Sequence, residues 1–277
     1  MGSRPKKICP PLTEIPNWSV GFNKSQDQGV VMRAKAIEEF FNFQFQKSAL
    51  SSKRGLVHLF SQMADAEGGN SGELCLFDKI EDYVQDPAIK NIIRVHKADE
   101  ERHEQMFLDY IKILGETPQP LTDEMRLLKM LDRELDILEK PVTSDQDVIN
   151  IMTLLLVIEE RAIMEFENMQ KVFKNDHAIM SMLEEAIKDE EKHLKFCNKV
   201  IEHFKADQNK VDEQYHEYKK LEDLAYRKLS LNLMNFYLDN EFVENEFSRK
   251  FWRFMGGIAR QEIEKEEARK ESYPIPA

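Results

Sequence analysis

Cysteine is scarce in this chain: 277 residues hold three, Cys9, Cys75 and Cys197, and none forms a C-x-x-C pair. That scarcity fits a reducing compartment and excludes a rubredoxin-type or zinc-ribbon module. Positive charge is also in deficit, with 39 Lys and Arg against 51 Asp and Glu. The net charge of −12 argues against an electrostatic footprint for nucleic acid or anionic lipid. Long apolar runs are missing as well. The longest uncharged one lies around Ile151 to Ile158, far short of the roughly 20 residues a bilayer crossing needs. The opening stretch "MGSRPKKICPPLTEIP" has no apolar centre of the kind a signal peptide carries. The expectation is a cytoplasmic protein without a transmembrane segment. No flavin or nicotinamide motif appears, so electrons for any redox chemistry would have to come from a separate donor protein.

What is present is apolar residues at helical spacing. They make up 42% of the chain, enough to bury a substantial core. Period-two alternation bounded by turn residues is hardly seen, so the fold class is all-α. Pro5, Pro10, Pro11, Pro16 and Gly21 make residues 1–28 an irregular arm. Residues 29–277 read as a single helical domain, with a bundle over about 56–206 flanked by helices at 29–50 and 209–270. Within the bundle, one helix is expected over Leu56 to Ala66 and another from about Ser71 to Gln85. Asp86-Pro87 starts a helix that Gly115 stops, 28 residues or roughly 42 Å long. A connecting helix is expected from Thr122 to Glu139. Ser144 with Asp147 starts a second long helix running to Lys174, and Asn175-Asp176 turns the chain into a third that reaches about Ala206. Two amphipathic helices, near Val211 to Leu238 and Phe242 to Lys270, follow.

One word is written twice. "ADEERH" ends at His103 and "KDEEKH" ends at His193, ninety residues later. Glu100 and His103 stand at i and i+3 on a helix, as do Glu190 and His193, so each pair projects from one face. Those faces are otherwise apolar: Ile93 and Phe107 share the first stripe, and Leu183, Ala186 and Cys197 the second. A carboxylate buried in such a stripe is costly unless a cation compensates it. A dinuclear site inside a helix bundle needs two E-x-x-H motifs and one further Glu from each partner helix. In the second hairpin Glu159 lies 17 residues before Asp176 and His193 lies 17 after it, so the two are level. In the first, Glu73 lies 14 residues before Pro87 and Glu100 lies 13 after it. Glu73 is preferred on that ground. Glu67 competes with it if "GGNSG" stays helical.

These segments, "SGELCLF", "DEERH", "VIEERAIMEF" and "DEEKH", resemble the ferritin-like diiron-carboxylate superfamily over roughly Leu56 to Ala206, most closely demethoxyubiquinone hydroxylases and aldehyde-deformylating oxygenases. The resemblance implies a ferritin-like four-helix bundle and a metal site made by Glu73, Glu100, His103, Glu159, Glu190 and His193, with Glu100 and Glu190 bridging. Such a ligand set, carboxylate and imidazole without thiolate, suits two iron ions or a manganese/iron pair. Asp99 and Asp189, next to the motif glutamates, are placed to accept the outer ring N–H of a histidine on the other hairpin. His96, one turn before Glu100 on the same face, reads as a core histidine ahead of a seventh ligand or proton donor. Cys197 reads as a small core residue.

Three functions compete for such a site: an oxygenase or oxidase that uses O2 on a small, apolar organic substrate, a peroxide or iron detoxifier in the manner of rubrerythrins and ferritins, and a metal-binding bundle without chemistry. The missing C-x-x-C unit and the doubled E-x-x-H motif favour the first. That reading also expects an apolar cavity leading to the Glu73 and Glu159 side of the site. The Phe-rich C-terminal helices supply bundle packing, with a substrate lining or a homodimer surface as lesser uses.

Overall fold

The computed structural model describes residues 42–68 and 72–272, with side chains to residue 268; the expected arm over 1–28 and the start of the first flanking helix lie outside the described residues. Among the described residues the chain is helical with no strand. After a helical segment over 42–49 come α1 (Lys53–Glu67), α2 (Leu74–Tyr83), α3 (Pro87–Ile113), α4 (Leu127–Leu135), α5 (Asp145–Val172), α6 (His177–His203), α7 (Gln208–Asp239) and α8 (Glu246–Ser272).

The helix starts are set locally. The Asp86 carboxylate accepts from Ala88 N (2.8 Å) and Ile89 N (3.1 Å), and Pro87 follows it in the first turn. Asp176 caps α6 in the same way, and Ser144 and Asp147 close a reciprocal capping box on α5. Helices α3 and α6 are therefore matched in length and register. The bundle's remaining corner is not one rod but two pieces, α1 and α2, which both pack on α3. Between them the Glu73 N–H donates to Ala66 O at 3.2 Å, and a Cβ on Gly72 would come within 2.6 Å of that same oxygen. Only glycine fits there.

The connecting helix is shorter than the Thr122 to Glu139 expected. A single 3₁₀ turn (Asp123–Met125) precedes α4, which stops at Leu135. Asp136 adopts φ 50°, and the Asp132 carboxylate accepts from Ile137 N (2.8 Å) and Leu138 N (2.7 Å), so a side chain takes the backbone donors that a further helical turn would have used. The helix expected from Ser71 begins only at Leu74, with no side-chain cap at Glu73.

α5 is buried almost all round from Val148 to Glu159, which is what an unbroken apolar run requires. The cover on its outer side is α7. A buried ion pair fastens it: Arg161 Nε lies 2.6 Å from Glu222 Oε1 and Nη2 lies 2.9 Å from Oε2, with the guanidinium over the Tyr226 ring at 4.2 Å. Glu222 is fully buried. Glu222→Ala should therefore destabilise the fold by about 1–3 kcal/mol, because it removes the bidentate partner of the guanidinium and leaves it only the half-exposed Asp223 carboxylate, 2.6 Å from Nη2. Replacing both partners, Arg161→Met with Glu222→Leu, should cost much less. Denaturant midpoints of the two variants check this, and equal losses would show that the pair's charge is not what matters.

The Phe-rich C-terminal region divides. His58 of α1 stacks on Phe236 with ring centroids 4.4 Å apart, and Phe242 and Trp252 are buried in the same aromatic group. Burial there lowers the His58 pKa to about 4. Phe247, Phe251, Phe254 and Ile258 are instead exposed along α8. No helix among the described residues is long and apolar enough to cross a membrane.

Candidate metal centre

Two apolar clusters fill the ends of the bundle. One contains Leu76, Phe77, Ile93, Leu155 and Cys197, the other Phe60, Phe107, Phe166, Leu183 and Ala186. The repeated word falls at the height between them: Glu100 and His103 lie between Ile93 and Phe107 on α3, Glu159 between Leu155 and Phe166 on α5, and Glu190 and His193 between Ala186 and Cys197 on α6. Placed so, the polar side chains have no route to water. Glu100, His103 and His193 are 0% exposed, Glu159, Glu190 and His96 1%, and Glu67 and Glu73 6%. Five carboxylates and three imidazoles thus share one dry layer.

Their polar atoms converge. His193 Nδ1 lies 2.7 Å from Glu190 Oε2 and 2.9 Å from Glu100 Oε1; His103 Nδ1 lies 3.2 Å from Glu100 Oε2 and 3.4 Å from Glu190 Oε1. His96 Nε2 reaches Glu159 Oε1 at 2.8 Å and Glu100 Oε1 at 3.0 Å. Two groups emerge whose ligating atoms all lie within 4.8 Å of one another: His96, Glu100, Glu159 and His193, and Glu67, Glu100, His103 and Glu190. Glu100 belongs to both.

The electrostatics record a surplus of negative charge. Burial, followed by repulsion from Glu100 and Glu159, raises Glu67, Glu73 and Glu190 well above the usual carboxylate range. Burial acts the same way on Glu100 and Glu159 but is outweighed by hydrogen bonds from the histidines. Glu100 ends well below the range and Glu159 at about 2. His193 loses to burial and gains more from Glu100, Glu159 and Glu190, so its pKa is raised. Three imidazoles cannot neutralise five carboxylates. Protons on some of the glutamates, or divalent cations, must do the rest. Glu73 Oε2, Glu100 Oε1 and Glu190 Oε1 are buried with no hydrogen-bond partner. Such orphaned oxygens are what a cation site contains when described without its cation. The residues present fit a pair of divalent ions.

The outward side of each imidazole is held from the opposite hairpin. His103 Nε2 lies 3.4 Å from Asp189 Oδ2, and His193 Nε2 lies 3.4 Å from Asp99 Oδ2. A ring bound at Nδ1 would carry its N–H outward toward its aspartate, leaving Nδ1 to face the clustered glutamates. Each Asp is itself clamped by the basic residues of the words. Lys192 Nζ lies 2.7 Å from Asp99 and 2.8 Å from Asp189, and Arg102 contacts both. Against its burial, Lys192 and Arg102 hold the Asp189 carboxyl down at about 2. Every lettered position of D-E-E-[R/K]-H except its second Glu has now met a partner: the Asp orients, the first Glu faces the centre, the basic residue crosses over, and the His points in.

Of the residues picked from the sequence, Glu100, His103, Glu159, Glu190 and His193 lie together. Glu160, Glu159's neighbour, points away and accepts from the Tyr215 hydroxyl at 2.5 Å. Glu73 is buried beside the two compact groups, and Glu67 falls within one of them. Six residues of continuous helix would put the two about 120° apart; with α1 and α2 separate, both are buried beside the other glutamates. His96 sits inside the centre rather than in ordinary core, and its position at i−4 from Glu100 was the signal for it. Cys197 is a buried core residue in the apolar cluster next to the glutamates. Neither described cleft, one of about 660 Å³ beside Tyr83 and His203 and one of about 430 Å³ beside Arg102 and Met106, is lined by the clustered glutamates or histidines. The expected apolar cavity is not among them.

No curated protein and no solved structure matches the chain. Residues 82–206 match the family model described as Ferritin, ferritin-like domain. That span takes in α3, α5 and α6, with Glu100, His103, Glu159, Glu190 and His193, and leaves Glu67 and Glu73 before its start. The likeness to a ferritin-like domain is thus carried by residues 82–206 of an all-α bundle that holds this buried cluster.

Proposed function

We propose that the centre holds two redox-active divalent ions, both iron or one manganese and one iron, and that the protein is an oxygenase or oxidase acting on a small apolar molecule. The observation that carries this is the burial of five carboxylates and three imidazoles, three of their oxygens unpartnered, in one layer between two apolar clusters. Oxygen and imidazole donors suit iron and manganese and carry no thiolate to favour zinc or copper. Such ions, when bound, supply the electrons that reduce dioxygen.

The chain's own residues do the remainder. Glu100, belonging to both groups, would be shared between the two ions. Asp99 and Asp189 hold the His193 and His103 rings with Nδ1 inward. The surrounding layer of Phe77, Ile93, Phe107 and Leu183 excludes water, which protects a reactive oxidant from being quenched and gives an apolar substrate its surroundings. Electrons would reach the centre from a separate donor protein. The likeness to demethoxyubiquinone hydroxylases and aldehyde-deformylating oxygenases belongs to the same proposal.

The test is stopped-flow mixing of the anaerobically iron-loaded protein with O2 and, separately, with H2O2. The proposal expects a near-ultraviolet absorbing species with O2 and little turnover of peroxide. Repeated fast turnover of H2O2 with a sluggish O2 reaction would overturn it in favour of peroxide detoxification.

A further inference from the structure

The two groups of converging side chains differ in their donors. Resting on the two-ion reading, we propose that His96 is itself a metal ligand, so that one position is built from two imidazoles and two carboxylates (His96, His193, Glu100, Glu159) and the other from one imidazole and three carboxylates (His103, Glu67, Glu100, Glu190).

His96 is placed as a ligand would be. Its Nε2 and His193 Nδ1 converge on the same atom, Glu100 Oε1, at 3.0 and 2.9 Å. Two ring nitrogens and two carboxylates with ligating atoms all within 4.8 Å of one another describe a cation's surroundings. The rings are locked. His96 stacks on His193 with centroids 3.8 Å apart and planes at 22°, and Phe77 covers it at 4.4 Å. It is 1% exposed and sits one turn before Glu100 on the inward face of α3. The competing role is a plain hydrogen-bond donor to Glu159 Oε1, 2.8 Å away. That role needs the proton on Nε2, whereas a ligand needs it off, and the two roles predict different chemistry.

Imidazole favours cobalt and iron over manganese more than carboxylate does. The nitrogen-rich position should therefore fill first with Co(II), and the carboxylate-rich one should be relatively more tolerant of Mn(II). The experiment is anaerobic titration of the full chain with Co(II), followed by visible absorption, with X-ray absorption at one equivalent to count imidazoles. Wild type should bind in two steps, and its first cobalt should carry two imidazoles. A residue that only orients a ligand is worth about 10–100-fold in affinity. His96→Ala should weaken the tighter step by more than about 100-fold and leave the weaker one, whose survival also shows that the fold is intact. His96→Gln keeps an N–H for Glu159 and should not restore the tight step. His103→Ala should affect the weaker step alone. A His96→Ala protein with both steps unchanged, a His96→Gln protein that binds like wild type, or a first cobalt with one imidazole would each overturn the assignment of His96 while leaving the two-ion centre standing. Wild-type protein that binds no cobalt would instead overturn the centre itself.

Discussion

Glu100→Gln should empty the centre. Wild-type protein loaded anaerobically with Fe(II) is expected to hold close to two equivalents, and the variant close to none, because Glu100 is the one residue common to both groups of converging ligands. Gln keeps the side chain's volume but removes the charge that draws the cations together, so a collapsed core would not be mistaken for a lost ligand. Residues found in one group should behave differently. Glu159→Gln and Glu190→Gln should each remove one equivalent, although the sequence resemblance implies bridging at Glu190 as well as Glu100. Glu160→Gln should remove none, since its carboxylate faces Tyr215 and Lys219 on α7. Elemental analysis after gel filtration decides. A Glu100→Gln protein that retains both irons, or equal loss at positions 159 and 160, would defeat the assignment of ligands.

Removing the metal should lower the melting temperature by about 10–20 °C. A ligand present at 100 times its dissociation constant stabilises the native state by about 2.7 kcal/mol, so two such sites contribute about 5 kcal/mol. For a chain of this size each kcal/mol shifts the transition by roughly 2–4 °C. The difference should also depend on pH, with a sign fixed by the buried groups. Glu67, Glu73 and Glu190 have metal-free pKa values raised above the ordinary 4.5, and His96 and His193 values raised above 6.5. A group whose folded pKa is raised contributes stability below its unfolded pKa and loses that contribution as pH rises through the folded value. The depressed pKa values of Glu100 and Glu159 act only below about 4.5. Above that pH the metal-free protein should therefore lose stability as pH rises, while the loaded protein, whose ligands are neutralised by cations, should not. Calorimetric scans with and without chelator between pH 5 and 8 measure the widening gap. A chelated protein that melts with the loaded one across that range would remove the case for a cation in this layer.

Much of the bundle is written in short-range signals. Asp86-Pro87, Ser144 with Asp147, and Asp176 each start their helix where a capping residue is met. Five of the clustered residues follow from one local rule, that i and i+3 share a face, combined with equal distances to a turn. The end of α4 is local as well but not periodic: the Asp132 carboxylate takes the N–H groups of Ile137 and Leu138 that a further helical turn would use, and Asp136 turns left-handed. Helix α7 covers α5, as the apolar run through Leu154, Leu155 and Leu156 demands, but which helix provides the cover is a matter of tertiary packing.

The sequence by itself determined the all-α class, the two matched hairpins and the inward placement of Glu100, His103, Glu159, Glu190 and His193, because helical period and capping chemistry act within a few residues. Only the tertiary structure decided that Glu67 joins the converging ligand atoms while Glu73 lies buried beside them. There the Glu73 N–H closes on the Ala66 carbonyl, an approach for which only glycine at position 72 leaves room. It also decided that His96 stacks on His193 and that Arg102 and Lys192 cross to the opposite hairpin's aspartate. Those contacts join residues about ninety positions apart, where no periodicity within one helix can choose a partner; the distance between packed helices makes the choice.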